Sequence, residues 1–307
     1  MPALCILCGQ QPPIENSHIV PNFVIKRLKT GNPLRTLVHS DALNKAFQDG
    51  WKGDYLCQQC EAKLSKSEAW FCKNVYDPWL AGNPVDVSYS EELGLFAASL
   101  AFRYLRYAIE KNPSMAVPKG LHDLDDDLRA ALNANRLSNL RARSYLQFLS
   151  PVDTLETFPP GINTYLFEAI DGKLFTYGIM RFAAGVPSPR EEFWVAYVKL
   201  PGMFFLTSLF DQRHVACVMA ELIGHRIEKA GTLRSAAHTG NTSEFVNDIF
   251  IERTNEIQAD YGRMPPERLA RNLERISKTP NPEDFRAYET YMRDVKLLSA
   301  LRTKQGG

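Results

Sequence analysis

Two Cys-x-x-Cys pairs are the feature that most constrains this chain. Cys5 and Cys8 form the first pair, and Cys57 and Cys60 form the second. The N-terminus shows no basic region followed by an apolar run, so we expect cytoplasmic residence, where structural disulfides are disfavoured. Four thiolates are the donor set of a closed tetrahedral site, and the pairs therefore predict a structural zinc ion. The alternatives are accidental pairs or a redox pair, which usually lies within a βαβ unit.

Composition excludes several classes of protein. The chain has 307 residues, of which 45% are hydrophobic and 23% are charged, as in an ordinary soluble globular protein. It is therefore not a disordered, collagen-like or coiled-coil chain. Its 36 basic and 35 acidic residues give a formal charge of +1, so attraction to nucleic acid or membrane would have to come from a local patch. No apolar run is long enough to span a bilayer.

The hydropathy pattern changes near Asn83-Pro84, which indicates a domain boundary. We predict an α+β chain in which a small N-terminal zinc module, residues 1–82, precedes a larger body, residues 83–307. The body is predicted to contain helices within 90–149, a four-stranded antiparallel sheet over 163–210 and C-terminal helices over 243–302.

Particular residues support these elements. Ser90 begins a helical pattern, and a second helix is expected to run from Leu121 to Leu149. The first strand is expected near residues 164–170. Asp171-Gly172 is typical of a hairpin turn, and Pro201-Gly202 of a second tight turn.

The segment between the cysteine pairs reads Ser17-His18-Ile19-Val20-Pro21, and Glu61 directly follows the second pair. This order of Cys-x-x-Cys, His-Ile-x-Pro and Leu-Cys-x-x-Cys resembles the HNH endonuclease family in its zinc-stapled, treble-clef form. The resemblance covers roughly residues 5–70 and implies a ββα-metal module. No family resemblance is found for the body.

The resemblance implies a set of roles. His18 would be the general base that activates water for phosphodiester hydrolysis, and its neutral imidazole suits that task at physiological pH. Glu61 and Ser17 would be ligands of a catalytic Mg²⁺ or Mn²⁺ ion, while the zinc would be structural. Proteins of this type are often linked to bacterial defence against phage, with the body selecting the substrate, binding a partner or controlling activation.

The chain departs from the family pattern at several positions. Ser17 stands where Asp, His or Glu is usual, and Asp54 or Asn44 would have to replace the asparagine that pins the loop before the second cysteine pair. For His18, structural and zinc-ligand roles stay open. For Glu61, a favourable charge at a helix N-terminus is the alternative.

Nucleic acid, with DNA as the expected form, is the partner that the resemblance implies. The basic residues that could flank a scissile phosphate are Lys26, Arg27, Lys29, Lys63 and Lys66. Residues 1–80 carry nine Lys and Arg against seven Asp and Glu, a net charge of +2 that ordinary surface composition would also give. A catalytically inactive zinc-stapled binding or scaffolding subunit is therefore the alternative. An enzyme with its chemistry in the body ranks last, because residues 83–307 show no phosphate-binding loop or hydrolase motif.

Overall fold

The computed structural model describes the chain in segments. The described residues are 4–35, 37, 47–113, 119–138, 140–153, 158–179, 182–183, 186–187, 191–208, 224–237, 244–262 and 264–305. Within them the chain is a mixture of helices and antiparallel strands, which confirms the predicted α+β class.

Short elements dominate the first ninety residues. Their order is β1 (Ser17–His18), α1 (Asn22–Thr30), β2 (Lys52–Gly53), α2 (Gln58–Phe71), α3 (Asp77–Leu80) and β3 (Asp86–Tyr89). Strands β1 and β2 are antiparallel, with His18 opposite Lys52. One π-helical turn, Cys72–Tyr76, joins α2 to α3.

The remaining chain contains the large sheet and the long helices. Its order is α4 (Glu92–Lys111), α5 (Lys119–Ala134), β4 (Arg143–Phe148), α6 (Ile162–Glu168), β5 (Asp171–Ile179), β6 (Phe182–Ala183), β7 (Val186–Pro187), β8 (Glu191–Leu200), β9 (Met203–Ser208), β10 (His225–Ile227), β11 (Gly231–Arg234), α7 (Glu244–Gly262), α8 (Pro266–Ser277) and α9 (Arg286–Gln305). The predicted helix after Ser90 and the predicted C-terminal helices are thus present.

The central sheet has five antiparallel strands in the order β10-β4-β9-β8-β5. Alternate residues of β9 point to opposite faces: Met203 and Phe205 belong to one core, and Phe204 and Leu206 to another. The first core contains α4, and the second contains residues of α6 and α7. The sheet is therefore covered by helices on both faces.

The larger core passes through the predicted boundary near residue 83. Phe71 of α2 stacks on Phe96 of α4, with ring centroids 3.9 Å apart, and both contact Phe205 of β9. Cys57 and Leu64 belong to the same cluster. The N-terminal segment therefore packs directly on the body.

The predicted helix from Leu121 to Leu149 is wrong in its second half. Helix α5 ends at Ala134, Asn135 adopts a left-handed conformation with φ 52°, and residues 143–148 form strand β4. The Asp127 carboxylate accepts hydrogen bonds from the backbone N–H groups of Arg141 and Ala142, at 2.9 and 2.7 Å, which directs the chain into the sheet.

The predicted strand at residues 164–170 is also wrong, because Ile162–Glu168 is helix α6. Asp294 of the distant helix α9 accepts the first-turn backbone N–H groups of Asn163 and Thr164, at 3.1 and 2.9 Å. A carboxylate at this end stabilises the helix, and the local sequence does not contain it.

Asp171-Gly172 is not a hairpin turn but the start of β5, paired with Lys199 and Val198 of β8. A Cβ atom at Gly172 would lie 2.5 Å from the ring of Tyr104, so glycine is required there by close packing. Pro201-Gly202, by contrast, forms the predicted tight turn between β8 and β9, with Gly202 at φ 72°.

We expect Phe96→Ala to lower the free energy of unfolding by about 3–5 kcal/mol, because it opens a cavity in the core that α2, α4 and β9 share. Chemical denaturation followed by circular dichroism measures the change. Leu273→Ala is the control: this side chain is 56% exposed, and its truncation should change stability by less than about 0.5 kcal/mol. Equal effects of the two substitutions would contradict the shared core.

Candidate metal centre and active site

The four paired cysteines converge. Their sulfur atoms all lie within 4.8 Å of one another, and the Sγ atoms of Cys8 and Cys57 are 3.8 Å apart. A tetrahedral zinc ion with Zn–S bonds of about 2.3 Å separates its sulfurs by about 3.8 Å. The cluster therefore fits a metal ion such as zinc. Its ligands would be the thiolates of Cys5, Cys8, Cys57 and Cys60.

Backbone hydrogen bonds bring the two pairs together. Gly9, at φ 66°, closes the first turn by donating its N–H to the carbonyl of Cys5 at 2.8 Å. The Ile6 N–H donates to the Tyr55 carbonyl at 2.9 Å, which places the first pair beside the second. Cys57 directly precedes α2, whose first residues contain Cys60.

The thiols differ in acidity. Partial burial acts to raise the pKa of Cys8, but hydrogen bonds from the backbone of Gln10 and Gln11, together with those from the Cys5 and Cys57 side chains, lower that pKa to about 6. Burial raises the pKa of Cys60 well above its ordinary value, and hydrogen bonds with Cys57 and Cys5 act in the same direction. A divalent cation would favour the thiolate form throughout the cluster and displace the thiol protons.

The three predicted catalytic residues lie at the junction of β1 and α2. Ser17, which is 2% exposed, donates its hydroxyl hydrogen bond to Oε1 of Glu61. His18 follows on β1 and is partly exposed. The structure thus brings residues 17 and 61 into contact across 44 positions of sequence.

Arg103 of α4 also reaches this junction. It donates from Nη1 to the His18 carbonyl at 3.1 Å, and its Nη2 lies 3.4 Å from Oε2 of Glu61 and 2.8 Å from Oε1 of Glu68. Burial raises the pKa of Glu68, although the positive charge of Arg103 acts in the opposite direction. Arg103 and Glu68 were not among the residues predicted from sequence.

Asp49 lies beside the His18 ring and also contacts Lys52. Oδ1 of Asp49 is 3.4 Å from Nε2 of His18, and Oδ2 is 2.7 Å from Nζ of Lys52. The hydrogen bond from Lys52 is the main reason why the pKa of Asp49 falls below its ordinary value. Asp49 therefore offers an ionised acceptor that can orient the imidazole.

Asp54 and Asn44 were proposed to replace the family's loop asparagine. The Asp54 carboxylate accepts the Asn16 backbone N–H at 3.1 Å, and so restrains the residue before Ser17. Asn44 lies outside the described residues.

The predicted basic residues have different environments. Arg27 makes two hydrogen bonds to Asp77, at 2.8 and 2.7 Å, while Lys29 and Lys63 donate to backbone carbonyls. Lys26 and Lys66 are exposed. Of the five basic residues predicted to contact nucleic acid, Lys26 and Lys66 are thus the two whose side chains are most accessible.

Within the described segments, the four cysteines are the only group of three or more His, Cys, Asp and Glu side chains close enough to hold a metal ion. His18, Glu61 and Glu68 do not form such a group. Any ion beside Glu61 would thus depend on one or two protein oxygens, with water and substrate oxygens as further ligands. Mg²⁺ is commonly bound in this way.

Comparisons with known proteins identify no relative. No family model matches the chain, and neither the curated proteins nor the solved structures give a match. Among the helices in the described part of the chain, none combines the length and apolar character needed to cross a bilayer. The functional argument therefore depends on the geometry of the site.

We expect Cys57→Ser to lose the bound zinc and to lower the melting temperature, because metal binding and local folding are coupled in small zinc modules. Elemental analysis and thermal unfolding measure the two effects. Cys72→Ser is the matched control, since Cys72 lies on the π-helical turn outside the cluster and should leave the zinc content unchanged. Native protein without zinc, or an unchanged melting profile for Cys57→Ser, would contradict the assignment.

Proposed function

We propose that this protein is a metal-dependent endonuclease of the HNH type that hydrolyses phosphodiester bonds, with DNA as the expected substrate. The single observation that carries the proposal is the contact between Ser17 and Glu61, which brings the residue next to His18 onto the first turn of α2. This contact joins β1 to α2, the helix that begins after the second cysteine pair, and these are the two elements from which the resemblance implies the cation ligands. The cysteine cluster lies at the N-terminus of the same helix.

His18 has the chemistry and position of a general base in this proposal. It ends β1, its ring is partly exposed, and Asp49 approaches its Nε2 atom. A neutral imidazole held by a carboxylate on one nitrogen can accept a proton from water at the other. The attacking water would therefore lie on the side of the ring away from Asp49.

Glu61 and Ser17 supply the oxygen atoms for a catalytic cation. Carboxylate and hydroxyl oxygens are the hard donors that Mg²⁺ and Mn²⁺ accept, and the Ser17–Glu61 hydrogen bond supports this role because it brings two such oxygens together. When bound, the cation would neutralise the scissile phosphate and stabilise the leaving oxygen. The chain's own contribution is to hold Glu61 against Ser17, the residue that precedes the proposed base.

Lys26 and Lys66 are the best candidates for backbone contacts to nucleic acid. Both are exposed, and positive side chains that contact phosphates position a nucleic acid without reading its sequence. Arg27 is better explained by its two hydrogen bonds to Asp77, which connect α1 with α3.

A zinc-stapled binding module without catalysis is the second candidate. It is favoured by the ion pair between Arg103 and Glu61, which already compensates the negative charge that a catalytic cation would use. In such a subunit His18 and Glu61 would be structural, and nucleic acid would be bound but not cleaved.

We expect purified zinc-loaded protein to nick plasmid DNA with Mg²⁺ or Mn²⁺, and His18→Ala to reduce the rate by at least about 100-fold, the loss typical of removing a general base. His122→Ala, which changes an exposed histidine on α5, is the control and should retain activity. Glu61→Gln should raise the Mn²⁺ concentration required more than Ser17→Ala does. Zinc content should stay constant in all variants.

The outcomes separate the two candidates. Loss of zinc together with loss of cleavage in His18→Ala would assign that histidine a structural role. Binding of DNA or RNA without cleavage by the native protein under either cation would favour the binding module. A larger effect of Ser17→Ala than of Glu61→Gln would contradict the ligand assignment.

We expect the double substitution Lys26→Ala and Lys66→Ala to weaken nucleic-acid binding. It should also reduce the slope of the logarithm of the binding constant against the logarithm of salt concentration by about two, because two phosphate contacts are lost. Fluorescence anisotropy over a range of salt concentrations measures both quantities. Lys278→Ala, which removes an exposed lysine after α8, should change neither. An unchanged salt dependence in the double variant would exclude these lysines from the interface.

A further inference from the structure

Arg103 is a charged side chain in the middle of an apolar helix. It is 2% exposed, and its neighbours on α4, from Leu93 to Leu105, are all buried. Burying a guanidinium is costly unless ionised and hydrogen-bonding partners surround it. The identity of those partners therefore shows what the arginine does.

Its partners come from the two segments that carry the proposed chemistry. Nη1 binds the backbone carbonyl of His18 on β1, and Nη2 faces Glu61 and Glu68, which are seven residues apart on α2. One side chain from the body thus connects the strand of the base with the helix of the proposed ligand.

The distances assign different roles to the two carboxylates. Glu68 is the nearer: its Oε1 atom is 2.8 Å from Nη2 and is shielded from solvent, so Glu68 compensates the charge of Arg103. Glu61 lies farther away, at 3.4 Å through Oε2, and its Oε1 accepts from Ser17. Arg103 can therefore hold the Glu61 carboxylate while leaving the other oxygen directed toward Ser17.

We propose that Arg103 is a positioning residue of the HNH-type site, which fixes the Glu61 carboxylate and the end of β1 relative to each other. The body thereby completes an active site whose other residues all lie in the N-terminal segment. The effect on cation binding and cleavage rests on the proposed function, whereas the restraint of β1 is a property of the fold.

Two variants and a control test the proposal in the full-length, zinc-loaded protein. Arg103→Lys keeps the charge but loses the paired geometry of the guanidinium. Arg103→Met combined with Glu68→Gln removes both charges of this pair and so leaves neither without its partner. Arg106→Met is the matched control: it changes an arginine one turn later on α4, whose partner Asp125 retains Arg129.

The first measurement is the affinity for Mn²⁺. It is obtained by titration, with the electron paramagnetic resonance signal reporting the concentration of the free ion. With zinc on the thiolates, Mn²⁺ is expected to bind oxygen ligands. The double variant should bind Mn²⁺ at least about tenfold more weakly than the native protein, because removing a group that orients a metal ligand typically costs that much affinity. Arg103→Lys should lie between the two, and Arg106→Met should match the native protein.

The second measurement is hydrogen exchange of the peptide that spans residues 14–21. Loss of the hydrogen bond to the His18 carbonyl should speed exchange in this peptide several-fold in the double variant. The zinc content and the circular dichroism spectrum of that variant should stay native. Arg106→Met should leave this peptide unchanged. This readout is independent of any activity.

Three results are decisive. Native exchange and native Mn²⁺ affinity in the double variant would overturn the proposal, and tighter Mn²⁺ binding would instead make Arg103 a competitor of the cation. If the native protein neither binds Mn²⁺ nor cleaves nucleic acid, the proposed function fails, while the exchange data still decide whether Arg103 restrains β1.

Discussion

Burial of helix α4 is the constraint on which the rest of the structure depends. Fourteen of its twenty residues are buried, so apolar side chains surround the helix instead of forming one stripe. Such a helix must be covered on every side. Helices α2 and α5 and the central sheet provide that cover. The N-terminal segment with the cysteines and the candidate site is therefore held against the body by the same apolar surface.

Buried charges at two places in this interior are compensated by partners from distant segments. Arg103 lies among Glu61, Glu68 and the His18 carbonyl. In the body, Arg253 makes two hydrogen bonds to Asp171, which also accepts the hydroxyl groups of two buried tyrosines, Tyr165 and Tyr197. Removing one partner would leave a buried charge without compensation, which is more destabilising than the pair is stabilising. These networks thus favour one arrangement of segments that are distant in sequence.

The candidate site depends on two connections of different kinds. The sulfur cluster joins the turn at Cys5–Cys8 to the start of α2. Arg103 of α4 joins the end of β1 to the same helix through the His18 carbonyl, Glu61 and Glu68. Short strands such as β1 and β2, of two residues each, have few hydrogen bonds of their own. Side-chain and metal connections can supply the rigidity that an active site requires and that so small a sheet lacks.

The sequence alone determined the α+β class, the helix after Ser90, the C-terminal helices and the turn at Pro201-Gly202, because periodicity and turn preferences are local properties. It predicted the proximity of the four cysteines for a different reason, since two Cys-x-x-Cys pairs together form the donor set of one tetrahedral metal site. It also indicated residues 17, 18 and 61, through a resemblance whose functional content stays a proposal. Only the tertiary structure decided that residues 162–168 are helical, because Asp294 caps them from α9, and that Gly172 faces Tyr104 instead of forming a turn. Arg103 belongs to the same class: an arginine among apolar residues was visible in the sequence, but its partners were not. Pairing over 42 or 85 positions depends on how helices pack, and no local pattern contains that information.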